Sequence, residues 1–283
     1  MSQITLTAAM RANLVSLQNT NELMGRTQER LATGLKVNSA VDNPTNYFAA
    51  RAHNQRADLL NGLKDYISEA IQTVKAADNG VKAITSVIEN LRSIVNQARN
   101  ALNDPNSGTI LGGLATQYNE AVRQLNNFQQ DASYKGVNFL TGSTTLTVNF
   151  NENASTSLVM NGFNATASGL AISGGTASGV GTITSGDMDT AAELNGIEAT
   201  LNAALATLRT RSSELAANLS VLTYRQTFIT DMVNTLKDGA TKLTVADTNE
   251  EGANMLMLQT RQQLGVTSLS LASQAAQSIL RLF

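Results

Sequence analysis

The amino-acid sequence predicts a mainly α-helical protein. Its two ends together should form an elongated coiled-coil or helical-bundle rod, with a small β-rich segment in the middle. Apolar residues repeat every seven positions in both halves, and a stretch rich in Gly, Ser, Thr and Asn separates them. Aromatic residues make up 4 % of the 283 residues, and there is no Trp. Aliphatic side chains and Ala must therefore form the core, which favours helix-on-helix packing.

A first helix is predicted near the N-terminus from apolar residues spaced alternately four and three apart. This spacing is that of a coiled-coil seam. Asn21 and Gln28 are polar members of the same pattern. Its apolar members are Met10, Leu14, Leu17, Met24, Leu31 and Leu35.

The second helix carries the most regular pattern, because its apolar residues recur at intervals of seven, which favours supercoiling against partner helices. The only two prolines, Pro44 and Pro105, bracket it, as expected for residues that are excluded from helix interiors. A single helix over residues 45–103 would be roughly 90 Å long. Residues 78–80, Asp-Asn-Gly, should weaken it locally at most. The two seam sets are Leu60, Ile67, Val74, Val81, Ile88, Val95 and Leu102, and Leu63, Ala70, Ala77, Ile84, Leu91 and Ala98.

A third helix and then a change of composition follow. Residues 141–186 are dominated by Gly, Ser, Thr and Asn, and Glu152 is their only charged residue. Alternating apolar and polar residues at 146–150 and 158–160 predict short β-hairpins. Disorder is the alternative, but hydrophobic residues recur here too often for a pure linker. The third helix is predicted from Leu111, Leu114, Tyr118, Ala121, Leu125 and Phe128.

The C-terminal half returns to helical spacing in two seams joined by a polar link. From residue 252 onward the only charged residues are Arg261 and Arg281, so the last helix needs a partner to cover it. The longer seam contains Leu194, Ile197, Leu201, Ala204, Leu208, Leu215, Leu222, Ile229 and Leu236, and the last contains Met255, Leu258, Gln262, Gly265, Leu269, Ala272, Ala276, Ile279 and Phe283.

The two ends thus mirror one another. We expect a terminal helix and link over 1–44, a helical region over 45–140, the β-rich segment over 141–186, a helical region over 187–246 and a terminal helix over 247–283. One intramolecular partner cannot cover the terminal seams, so they should associate between molecules. Head-to-tail contacts of this kind build rings or open helical filaments.

Several functions are disfavoured. The net charge of −2 provides no electrostatic footprint for nucleic acid or for an anionic membrane. Absence of Cys and a single histidine, His53, leave little basis for a metal, cofactor or catalytic site, so no enzyme is expected. The stretch 262–280 is too polar to insert into a membrane. The N-terminus lacks the features of a secretory signal peptide, so any export is expected without signal cleavage.

Three motifs then resemble those of bacterial flagellins. Residues 28–43, QERLATGLKVNSAVDN, resemble the N-terminal signature of the type "ERLSTGLRINSAKDD". Residues 134–140, YKGVNFL, resemble the family's "YNGVNLL" turn, and 258–265 with 272–283 resemble the family's ending. The match covers roughly 1–140 and 190–283, in the family's order, and three motifs in register are a strong signal.

The resemblance implies a filament subunit of a compact type with a short middle segment. In flagellins the terminal helices line the inner tube of the filament, the longer helices form its outer tube, and the middle projects into solvent. The subunit leaves through the flagellum's own type III channel and is extracellular. Its partners would be copies of itself, a cap protein, hook–filament junction proteins and an export chaperone. The filament-core assembly residues would be Leu14, Leu17, Met24, Leu31, Leu35, Leu269, Ala272, Ala276, Ile279 and Phe283.

Two alternatives remain at this point: a hook–filament junction protein of the same family, and a secreted helical effector or adhesin.

The resemblance also concerns an animal innate receptor, Toll-like receptor five, which in this family contacts a motif of the type "LQRVRELAVQ". The matching stretch, 88–97, keeps one of the two arginines, as Arg92. It differs at three polar positions, where Glu89 replaces Gln, Asn90 replaces Arg and Ser93 replaces Glu, so we expect a poor receptor ligand. The receptor-matching region comprises Glu89, Asn90, Leu91, Arg92, Ser93 and Ile94.

Overall fold

A computed structural model describes residues 8–172 and 182–280, with side chains in the last helix described through Ser278. Within these ranges lie five α-helices, a two-stranded sheet and a short 3-10 helix, so the predicted mainly α fold with a small β-rich middle is confirmed. The elements are α1 (Ala8–Thr33), α2 (Pro44–Ala101), α3 (Ser107–Asp131), β1 (Thr145–Asn149), β2 (Ser157–Asn161), the 3-10 helix (Ser185–Asp187), α4 (Ala191–Thr244) and α5 (Thr248–Leu280).

The chain divides into two compact units. The terminal unit comprises the described residues of 1–57 and 234–283, and the central unit comprises those of 58–233. The α2 and α4 helices each contribute residues to both units.

In the central unit, α2 and α4 bury the seams predicted for them. The α2 seam is buried from Leu60 to Ala98 except for Leu63, which is half-buried, as is Leu102 beyond the helix end. All nine residues of the predicted α4 seam are buried, the last of them, Leu236, in the terminal unit. Polar bonds also join the two helices, since Gln226 donates to the Ser68 hydroxyl over 3.0 Å. Because one heptad stripe per helix meets the core, the sequence period identified the buried face correctly.

Helix α2 runs without interruption through residues 78–80, as predicted. A Cβ atom at Gly80 would lie 2.5 Å from the Cβ of Ala132 and 2.7 Å from a methyl group of Leu140. Glycine at this position therefore lets the segment after α3 pack directly on the helix backbone.

The turn at Tyr134–Val137 explains one of the family-like motifs. Lys135 and Gly136 have φ values of 49° and 80°, and Tyr134 and Val137 form an antiparallel bridge across them. Asn138 then donates to the carbonyl of Gln129 over 2.7 Å and so satisfies a free carbonyl at the end of α3. Lysine is unfavourable at positive φ, but its ammonium lies 2.7 Å from a Glu69 carboxylate oxygen on α2.

The middle segment is a hairpin followed by an irregular return that side chains of α3 hold in place. Strands β1 and β2 pair antiparallel, and the hairpin predicted over 146–150 and 158–160 is confirmed. The Asn119 amide accepts from the backbone N–H of Ile183 over 3.1 Å and donates to its carbonyl over 2.8 Å. Asn126 and Gln129 likewise bind the backbone of Ala167 and Leu140. The remainder of the predicted β-rich segment, 173–181, lies outside the described residues.

Candidate assembly site

Helices α1 and α5 pack against each other in the terminal unit and run antiparallel. Leu17 contacts Gly265, where a Cβ atom would lie 2.6 Å from a leucine methyl group. Gln262 donates to the Asn21 amide oxygen over 2.9 Å, and Arg30 donates to Glu251 over 2.9 Å. The two terminal seams predicted from the sequence are thus brought together in one molecule.

The covered face of α1 differs from the predicted seam. Leu17, Met24 and Leu31 belong both to the predicted seam and to the covered face, and all three are half-buried. The residues buried between them are Thr20 and Thr27. The predicted seam contains Leu14, Asn21 and Gln28 instead of these threonines, and all three are exposed. Threonine suits a covered position because its hydroxyl can be satisfied within the helix, as Thr20 shows by donating to the Ser16 carbonyl over 2.8 Å.

Leu35, the last predicted member of this seam, lies beyond the end of α1. Gly34, with a φ of 71°, ends the helix and donates to the Arg30 carbonyl over 2.8 Å. Leu35 is half-buried and forms an antiparallel bridge with Val245. Its contact is therefore made by extended backbone and not by a helix face.

The covered face of α5 is the predicted one. Leu258 is buried, and the other described seam members are half-buried: Met255, Gln262, Gly265, Leu269, Ala272 and Ala276. The side chain of Ile279 and the whole of Phe283 lie outside the described residues.

Many apolar side chains of this helix pair remain in solvent. They lie on the parts of α1 and α5 that a single antiparallel partner does not reach. Monomeric proteins seldom expose so many apolar residues in one region, and such surfaces mark interaction sites. The exposed set is Leu14, Val15, Leu23, Leu256, Met257, Leu264, Val266 and Leu271.

The two links that follow α1 and precede α5 are hydrogen-bonded to each other. The backbone N–H of Lys36 donates to the Thr244 carbonyl over 2.7 Å, and that of Ala246 donates to the Gly34 carbonyl over 3.0 Å. Sequence reasoning missed this junction, because backbone bonds between distant segments leave no residue pattern. The 28–43 signature nevertheless contains its N-terminal half.

Charged side chains of the junction are also specifically placed. Glu251 is 5 % exposed and receives the Arg30 guanidinium. The Asp42 carboxylate accepts hydrogen bonds from the N–H groups of Asn38 and Ser39 and from the Ser39 hydroxyl, at 2.9–3.1 Å. These bonds, those from Ser39 first, hold the pKa of Asp42 below its ordinary value of 3.8.

The receptor-matching region lies on α2 in the central unit. Leu91 and Ile94 are buried, whereas Glu89, Asn90 and Ser93 are exposed. Arg92 is half-buried, with its guanidinium 3.9 Å from the Glu198 carboxylate of α4. The three polar positions at which this region differs from the family motif, Glu89, Asn90 and Ser93, are thus accessible.

Neither a metal-ligand cluster nor a membrane span occurs in the described part of the chain. No group of three or more His, Asp or Glu side chains there could hold a metal ion. Among the described residues, no helix is both long and apolar enough to span a membrane.

Comparisons with known proteins agree with this picture. The model of the bacterial flagellin N-terminal helical region matches residues 4–145, and that of the C-terminal helical region matches residues 199–283. Flagellin FljK of Caulobacter vibrioides is 28 % identical over 285 residues, covering 100 % of this chain and 99 % of the relative. A flagellin of Brucella melitensis is 27 % identical, with the same coverage. The crystal structure of Bacillus cereus flagellin matches 58 % of this chain and 88 % of its own, with 12 % identity and a TM-score of 0.47.

Paired terminal helices with uncovered apolar faces, joined to a helical central unit, define a self-assembling structural protein. The chain belongs to the bacterial flagellin family. It is a subunit that polymerises into the extracellular flagellar filament for swimming motility. The relatives are flagellins, which favours the filament over the junction protein and over an effector or adhesin.

Proposed function

We propose that α1 and α5 are the elements through which copies of this chain join the filament core. The observation that carries the proposal is the set of apolar side chains that the α1–α5 pair leaves exposed. Burial of such surface is the main favourable contribution to association, so the monomer retains it for contacts with its neighbours. Of the assembly residues predicted from the sequence, Leu14 belongs to this exposed set. The others stay part of the proposal: Leu17, Met24, Leu31, Leu35, Leu269, Ala272 and Ala276, which are half-buried, and Ile279 and Phe283, whose side chains lie outside the described residues.

Deletion of residues 265–283 tests this assignment. The truncated chain should not polymerise, but it should keep most of its helical circular dichroism, because the deleted part belongs to the terminal unit. Filament formation by the truncated chain, seen in negative-stain images, would show that the assignment is wrong.

A point variant refines the same test. Leu264→Ser removes a leucine of α5 that is 64 % exposed, and Val159→Ser removes a comparably exposed valine of the β-hairpin as a matched control. We expect Leu264→Ser to raise the protein concentration needed for polymerisation and Val159→Ser to leave it unchanged. An equal effect of both substitutions would indicate general surface hydrophobicity and would refute a specific role of α5.

The proposal also covers the export route of the subunit and its partner proteins. The subunit leaves the cell through the flagellar type III channel without cleavage of a signal peptide, an export chaperone shields its terminal helices, and it adds beneath a cap protein above hook–filament junction proteins. Family membership and the uncovered terminal helices support this route. Intact-mass measurement of filament protein is the test: a mass short by an N-terminal peptide would refute export without cleavage.

A further inference from the structure

Met257 of α5 is more open to solvent than any other methionine whose side chain the structure describes. It is 49 % exposed. The other described methionines are buried or half-buried: Met10, Met24, Met160, Met188, Met232 and Met255. A reagent in solution should therefore reach the thioether of Met257 before those of the others.

The position of Met257 on α5 connects it with assembly. Met257, Leu264 and Leu271 follow one another at intervals of seven and are 49 %, 64 % and 61 % exposed. Seven residues make almost two helical turns, so the three side chains lie along one face of the helix. The buried Leu258 lies on a different face, the one that the monomer covers. We call Met257, Leu264 and Leu271 the α5 stripe, and all three belong to the exposed apolar set of the terminal helices.

The chemistry of a thioether makes this member of the α5 stripe reactive. The chain contains no cysteine, so no thiol competes with the methionine sulfurs for an oxidant. A sulfur lone pair attacks one oxygen of hydrogen peroxide, the O–O bond breaks, and an S–O bond forms while water leaves. The sulfur is oxidised and the peroxide is reduced. The product, methionine sulfoxide, is a polar side chain that specific reductases convert back to methionine.

A sulfoxide at Met257 has different consequences in the monomer and in an assembly. In the monomer its oxygen stays in water, so oxidation leaves the buried core of the central unit unchanged. Association through the α5 stripe would transfer that oxygen into an apolar contact. Burial of a polar group without a hydrogen-bond partner is unfavourable, so the oxidised subunit associates more weakly.

We propose that Met257 is a redox-sensitive modification site, at which oxidation to the sulfoxide by a peroxide prevents a free subunit from joining the filament. Reduction of the sulfoxide restores the subunit. The inference rests on the proposed role of α1 and α5 in assembly. Neighbouring subunits cover the stripe in the filament, so incorporated copies are protected and oxidation acts on free copies.

Limited oxidation of the wild-type monomer with hydrogen peroxide tests the site directly. Peptide mass spectrometry should show that Met257 gains an oxygen atom before Met24, Met232 and Met255, and that it is protected in filaments formed before treatment. The concentration needed for polymerisation should rise roughly tenfold, which corresponds to about 1.4 kcal/mol of association free energy. Incubation with methionine sulfoxide reductases for both epimers should reverse this rise. Equal reactivity of all four methionines, or normal polymerisation of monomer oxidised at Met257, would overturn the proposal.

Three variants separate Met257 from the other methionines. Met257→Leu keeps an apolar side chain without sulfur, so it should polymerise like the wild type and resist peroxide. Met232→Leu, at a half-buried position of α4, is the matched control and should stay as sensitive as the wild type. Met257→Gln carries a polar group permanently and should need a higher concentration without any peroxide. Peroxide sensitivity of Met257→Leu equal to that of the wild type would contradict the proposal, as would normal polymerisation of Met257→Gln.

The variant Leu264→Ser distinguishes failure of this inference from failure of the proposed assembly role. Normal polymerisation of Leu264→Ser would contradict the role of α5 itself, and the redox inference would fail with it. Poor polymerisation of Leu264→Ser together with normal polymerisation of the oxidised wild type would contradict the redox inference alone.

Discussion

At the scale of single residues, Leu91 shows how a family-like motif can be structural. It is fully buried and lies within the receptor-matching region. We expect Leu91→Ala to lower the free energy of unfolding by roughly 2–5 kcal/mol, because it leaves a cavity in the core. Leu59, on the same helix and 60 % exposed, provides the control, and Leu59→Ala should change stability by no more than about 0.5 kcal/mol. Equal effects of the two variants on denaturant unfolding of the monomer would mean that the heptad face is misassigned.

Asp42 makes the first link sensitive to acid. Its hydrogen bonds lower its pKa in the folded chain, so they stabilise the link fully above the ordinary value of 3.8. That stabilisation is lost as the pH falls through the lowered pKa, because the protonated carboxyl no longer accepts these bonds as a charged group. We expect hydrogen exchange at the Ser39 amide to lose its protection in this acidic range.

Asp42→Ala should remove that protection at neutral pH, because alanine has no side-chain oxygen to accept the bond from the Ser39 N–H. Glu22→Gln, at an exposed acid of α1, is the control and should leave it intact. Protection of Ser39 that does not depend on pH in the wild-type chain would show that the carboxylate does not hold the turn.

At the scale of elements, α2 presents an altered surface to the innate receptor. Glu89, Asn90 and Ser93 are exposed, and each differs from the motif typical of the family. The apolar Leu91 and Ile94 are buried in the core, which argues against a leading role for them in receptor contact. We expect weak activation of Toll-like receptor five by the monomer, because loss of an arginine anchor can weaken binding roughly thirtyfold or more.

A receptor-reporter assay measures this effect. Asn90→Arg combined with Ser93→Glu should restore signalling. Asn100→Arg combined with Ser86→Glu makes the same charge changes at other exposed positions of α2 and should not. Signalling by the wild-type chain at the concentrations that suffice for a flagellin with the full motif would contradict the prediction.

The terminal helices should be much less stable in the monomer than the core of the central unit. They share a narrow covered face with one partner, and local stability follows buried apolar contact. Hydrogen exchange of the monomer should therefore be fast throughout α1 and α5 and slow at the buried seam of α2. Polymerisation should then protect α1 and α5 strongly. Equal protection of all these helices in the monomer would contradict the proposed role in assembly.

At the scale of the whole molecule, the sequence predicted most of the helices and their buried faces. The α2 and α4 seams were correct because a strict seven-residue period identifies one stripe regardless of the partner. The α1 seam was partly wrong. Two sets of residues beside Leu17 and Met24 give the same alternating spacing of three and four: Thr20 with Thr27, and Asn21 with Gln28. Only the partner decides between them, and it covers Thr20 and Thr27 in preference to Asn21 and Gln28.

Other features of the structure could not be predicted, because they leave no pattern in the sequence. The junction of the two links consists of backbone hydrogen bonds, which any residues could form. The positive φ of Lys135 is similarly invisible in a sequence, because asparagine is the residue expected there.

The pairing of the two chain ends also sets the order in which the molecule can form. Arg30 and Glu251 are separated by 221 positions, and Asn21 and Gln262 by 241. Contacts so distant in sequence form late, because the intervening chain must first be ordered or bear a large loop-closure entropy. All residues of the central unit precede Glu251 and Gln262, the C-terminal members of these two pairs, in the chain. A chain delivered with its N-terminus first could therefore fold its middle early, while its first helix stays unpaired until the last fifty or so residues arrive. A truncated or half-delivered subunit would lack the second helix of the terminal pair, so under the proposed role of α1 and α5 it should not be incorporated.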